Sequence, residues 1–83
     1  MTNAEMITVL KMAGWRLRSK VDWPDTRKRR WYITEGDEVL ISPRKSKHNA
    51  LLWGIAMLTD DRDLQLHLRT IDIEERLGKW SDV

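Results

Sequence analysis

Trp15-Arg16-Leu17-Arg18-Ser19-Lys20 is the stretch on which the fold turns, followed by Arg29-Arg30-Trp31-Tyr32-Ile33-Thr34 and Val39-Leu40-Ile41. Successive side chains of a β-strand point to opposite faces. Trp15 and Leu17 are therefore expected to face a core, while Arg16, Arg18 and Lys20 share the opposite, wetted face. If Arg30 and Tyr32 take that same face on the next strand, the result is a small cationic sheet surface. Glu35-Gly36-Asp37 supplies a tight reversal into the third strand, which Pro43 is expected to end.

Upstream, residues 3–13 read as a helix capped by Thr2 or Asn3, with Met6, Val9, Leu10 and Ala13 on one apolar face. Gly14 then stops it in a left-handed conformation. Asp22-Trp23-Pro24-Asp25-Thr26 reads as a turn-rich loop between the first two strands. Downstream, Ser46 caps a mostly apolar helix from Lys47 to Leu58. Its Gly54 costs up to about 1 kcal/mol relative to Ala and implies close packing against a neighbour. Leu64, Leu66 and Leu68 alternate with Gln65, His67 and Arg69. That predicts a fourth strand, with a helix from Asp61 onward as the competing reading. Asp72 and Glu75 form a capping-box pattern for a short last helix lined by Ile73, Leu77 and Trp80.

The fold class expected is α+β in a single domain, residues 1–83: a three- or four-stranded antiparallel sheet with helices on one face and the other face partly open. The expected core is Met6, Val9, Leu10, Trp15, Leu17, Trp31, Ile33, Val39, Ile41, Leu51, Leu52, Ile55 and Leu58. Eighty-three residues, 41% apolar and 34% charged, suit one small soluble domain. Five tryptophans and no phenylalanine mean that indoles must supply the aromatic part of any core.

Several classes of chemistry drop out at once. With no cysteine there is no disulfide, no thiolate nucleophile and no Cys-based zinc site. No Gly-rich phosphate loop is found. His48 and His67 have no partner at helical metal-site spacing, and the Asp60-Asp61-Asp63 cluster lacks the remaining ligands and the glycine of a calcium loop, so neither metal nor other cofactor is expected. Trp23-Pro24-Asp25 matches the letters of the tyrosine-phosphatase acid loop, but the catalytic cysteine that loop serves is missing. No catalytic residue is assigned. No signal peptide and no apolar run of about 20 residues is seen, so a cytoplasmic location is expected.

Charge is unevenly spread. Residues 15–48 hold ten Lys/Arg against five Asp/Glu, whereas residues 49–83 hold four against seven. The basic part supplies a candidate nucleic-acid surface: Arg16, Arg18, Lys20, Arg30 and Tyr32 on the strands, with Lys28, Arg44, Lys45 and Lys47 around them. Such cations neutralise phosphates, and Tyr32 or Trp23 can stack on a base. The bland alternative is that exposed strands carry Lys and Arg to stay soluble and avoid edge pairing.

Residues 4–58 also resemble the HicA-type toxins of bacterial toxin–antitoxin pairs. The resemblance rests on a leading helix that ends in Ala13-Gly14-Trp15, a short strand, a hairpin, and Ile41-Ser42-Pro43-Arg44 entering a second helix. It implies a double-stranded-RNA-binding-like fold and an RNA-facing surface. In that family a histidine of the second-strand region acts in RNA cleavage. The corresponding segment here, Lys20 to Tyr32, contains none.

The expected function is thus a small non-enzymatic binding module of bacterial or phage origin that contacts RNA or DNA through a basic sheet face. The alternative is a protein–protein adaptor or inhibitor, for example a phage protein blocking a host nucleic-acid enzyme. It would bind an acidic protein surface with Trp23 and Trp80 as anchors; a homodimer is a separate option. A HicA-like ribonuclease is the third reading. No membrane partner is expected.

Overall fold

The computed structural model describes residues 1–21, 24 and 28–81, the segment 75–81 only by its place in a helix. The order is α1 (Asn3–Met12), β1 (Trp15–Val21), β2 (Arg29–Glu35), β3 (Glu38–Arg44), α2 (Lys47–Leu58) and α3 (Arg62–Ser81). The strands form one antiparallel sheet in the order β1-β2-β3, and the α+β class read from the sequence holds.

Local chemistry explains the boundaries. The Thr2 hydroxyl accepts from the Glu5 N–H at 3.2 Å, and the Glu5 carboxylate accepts from the Thr2 N–H, a reciprocal capping box. Gly14 closes α1 at φ +81°. Ser46 caps α2 by accepting from the Asn49 N–H. Glu35 pairs with Glu38 around the two-residue loop Gly36-Asp37, and Gly36 takes the positive φ such a hairpin turn needs.

The core lies between the sheet and the helices. Met6, Leu10, Ile33, Ile41, Leu51, Trp53, Ala56 and Leu68 are buried, with Trp15, Leu17, Leu52, Ile55 and Leu58 packed around them. A Cβ on Gly54 would collide with Ile33 and crowd Leu10, which is the close approach its presence implied. Three expected core residues stand outside this cluster: Val9 and Trp31 are half-buried, and Val39 is 54% exposed. The β2–β3 register slips between Ile33↔Ile41 and Thr34↔Val39, so Leu40 is an extra residue. This bulge turns Leu40 and Ile41 toward the core and Val39 away from it. Trp31 is only half-buried, and the indole at the centre is Trp53 instead, 7% exposed.

Two further expectations are corrected. Pro43 does not end β3, which runs on to Arg44 because an edge strand has no outer partner to receive the missing N–H. The predicted fourth strand is helix: α3 begins at Arg62 and continues unbroken to Ser81. The alternating leucines sit on different helix faces, Leu68 fully buried and Leu66 65% exposed. Asp61 caps α3 through the Leu64 N–H at 3.1 Å. Asp72 lies inside α3, so it caps nothing and instead binds Arg44.

Candidate nucleic-acid interface

β1 and β2 pair without a register break from Trp15↔Glu35 to Val21↔Arg29. Directly opposite residues share a face, so Arg16, Arg18, Lys20, Arg30, Tyr32 and Thr34 project together. The helices pack on the other face, where Leu17 and Ile33 point. Arg16, Arg18 and Lys20 are exposed. Arg18 is anchored, its Nε donating to the Thr34 hydroxyl at 3.0 Å, which leaves Thr34 only 5% exposed. Lys20 lies over the Tyr32 ring, Nζ 5.9 Å from its centroid. One face of that ring is thus taken, and a base can stack there only if Lys20 swings aside.

The sheet is polarised along its strands. At the hairpin end stand Glu35, Asp37 and Glu38, Glu35 accepting from the Trp15 indole Nε1 at 2.8 Å. At the far end Lys28, Arg29, Arg30 and Lys45 line a recess of about 400 Å³. Lys28, Lys45 and Arg30 were expected near the site; Arg29 was not. Strand alternation sends Arg29 to the helix side, where it donates to the Ser19 hydroxyl at 2.8 Å. It reaches the recess because that end of the sheet offers both faces, Val21 opposite it being 40% exposed. Its place in the run Arg27–Arg30 was the available signal.

Two expected cations lie elsewhere. A second slip in β3, between Trp31↔Arg44 and Ile33↔Ile41, returns Arg44 to the helix side. There its guanidinium sits 5.0 Å from the Trp53 ring centroid and donates to Asp72 at 2.6 Å, tying β3 to α2 and α3. Lys47, in the first turn of α2, covers Trp31 with Nζ 5.3 Å from the ring centroid. Trp23 lies outside the described residues, and so does the side chain of Trp80.

The histidines are remote from this face. His48 is bonded through Nδ1 to the Asn3 side chain at 2.7 Å, joining the starts of α1 and α2. His67 is exposed on α3. Asp60, Asp61 and Asp63 form an exposed turn into α3, and among the described residues no group of acidic and histidine side chains converges as a metal site. No described helix is long and apolar enough to cross a membrane. No known protein family matches the chain, and no curated protein or solved structure compared with it is significantly similar.

Proposed function

We propose that this protein is a non-enzymatic binding module that contacts nucleic acid through the outer face of its sheet. What carries the reading is the unbroken β1–β2 register, which sets Arg16, Arg18, Lys20 and Arg30 on one face away from the helices. Cations at alternate positions of two paired strands neutralise neighbouring phosphates from a backbone that is already in place before binding. The recess at Lys28, Arg29, Arg30 and Lys45 extends this surface past the end of the strands. The acidic hairpin at the opposite end repels a polyanion and so sets the direction in which it lies. The distance of both histidines from this face favours binding over cleavage.

Fluorescence-anisotropy titrations of RNA and DNA oligomers at two salt concentrations test the proposal. Binding that weakens steeply with salt supports it. An absence of binding up to tens of micromolar at low salt overturns it and leaves the protein-adaptor reading.

A further inference from the structure

We propose that the outer edge of β1 is a docking site for an extended, acidic segment of a partner protein, which pairs with it as a fourth strand. The sheet order leaves β1 and β3 as edges. β3 is blunted by Pro43 and by two register slips, which interrupt the regular row of backbone groups a new strand needs. β1 has none of these devices. Its sequence WRLRSKV contains neither Pro nor Gly, and all of its residues, Trp15 to Val21, keep one register. Every second residue along it turns its N–H and C=O away from β2, and no other described strand pairs there.

The side chains beside that edge say what can bind. On the helix side, a groove of about 400 Å³ between α1 and β1 is lined by Ile7, Leu10, Lys11, Trp15, Arg16 and Leu17. An added strand puts alternate side chains toward this groove, where apolar residues fit. The remaining side chains fall on the outer face opposite Arg16, Arg18 and Lys20, within about 4.5–5.5 Å, where carboxylates fit. A second copy of the chain does not meet that requirement. Antiparallel pairing of two β1 strands sets the three cations against their own counterparts, and like charges directly opposite destabilise a pair. The cations that prevent self-pairing therefore select an acidic strand. A nucleic acid offers no row of alternating donors and acceptors to match the edge, so this contact is distinct from phosphate binding on the outer face.

The probe is a synthetic heptapeptide of alternating Glu and Val, titrated into the protein while the backbone amide signals of residues 15–21 are followed by NMR. It should bind at least tenfold more tightly than the Lys/Val analogue, with the largest shifts in β1. N-methylating alternate peptide residues in one phase should abolish binding, and in the other phase leave it, because only one set of amides faces the edge. The double substitution Arg16→Glu and Arg18→Glu should reverse the preference toward the Lys/Val peptide. Should that variant not fold, the two N-methylated peptides decide the matter on the parent protein. Equal affinity for both N-methylated forms, or shifts centred outside β1, overturns the proposal. So does self-association through these amides without peptide, or an RNA oligomer that moves them when the peptide does not.

Discussion

Gly54 and Asp60 sit a few residues apart at the end of α2, and a Cβ is unfavourable at both, for different reasons. At Gly54 an added methyl meets the buried Ile33 and comes 3.0 Å from Leu10 Cδ1. Overpacking of this kind costs about 1–3 kcal/mol and exceeds the gain of up to about 1 kcal/mol from better helix propensity. Gly54→Ala should therefore lower Tm by several degrees in a thermal melt. Asp60 takes φ +53° just past α2, while the Asp61 N–H bonds the Ala56 carbonyl and the Asp60 N–H bonds that of Met57. That is the Schellman arrangement, where glycine is the usual occupant. Asp60→Gly should raise stability by about 0.5–1 kcal/mol in urea unfolding, and a loss would show that the Asp60 side chain has a role of its own. The tryptophans divide likewise. Trp53→Ala should cost about 3–5 kcal/mol and Trp31→Ala about 2, since only the first lies in the buried cluster. Equal losses would mean that Trp31 supports the core from the end of the sheet.

The elements differ in what holds them. α1 begins in its capping box, where the Thr2 backbone N–H and then the Thr2 hydroxyl hold the Glu5 carboxyl below its ordinary pKa. A folded-state pKa lower than the unfolded one stabilises above the ordinary carboxylate range, and the contribution is lost as pH falls through the folded value. Thr2→Ala should lower Tm at neutral pH and flatten the acid side of the Tm-against-pH curve. An unchanged acid side would show that the Thr2 hydroxyl adds nothing to it beyond the backbone N–H, which alanine keeps. α3 is held by Leu64 and Leu68 against the core and by the ion pair from Arg44 to Asp72, both side chains largely buried. Losing a partner from a charged hydrogen bond of this kind costs about 1–3 kcal/mol. Asp72→Ala should reduce stability by that amount and speed amide hydrogen exchange in α3 more than in the sheet. Uniform acceleration would place the pair in the global core instead.

The whole molecule is a charge-polarised sheet backed by helices, and polyanion binding should follow that polarity. For roughly four to six phosphate contacts, log K should fall against log[salt] with a slope of about −3 to −5. Arg16→Ala with Arg18→Ala should flatten the slope by about two and weaken all sequences alike, because phosphate contacts position without specifying. Asp72→Ala should leave it unchanged, since Arg44 belongs to the helix side. A slope lost on changing Arg44 but kept without Arg16 and Arg18 would move the binding surface to the other side of the sheet.

Strand alternation by itself determined the cationic face. A period of two places Arg16, Arg18 and Lys20 together however the rest of the chain folds, and helix caps set the ends of α1 and α2 in the same local way. The β-bulges were decided only by tertiary packing. They absorb one residue at Leu40 and another near Ser42, which sends Val39 outward and Arg44 inward against the expected alternation. The register of an edge strand depends on its partner as well as on its own letters. The segment at Leu64–Leu68 was ambiguous for a related reason: apolar residues two and four apart satisfy one face of a strand, while two of them also lie on one side of a helix. Packing against α2 settled it, burying Leu68 and half-burying Leu64 while Leu66 stayed in water, because a helix shares a buried side between positions four apart and a strand between positions two apart.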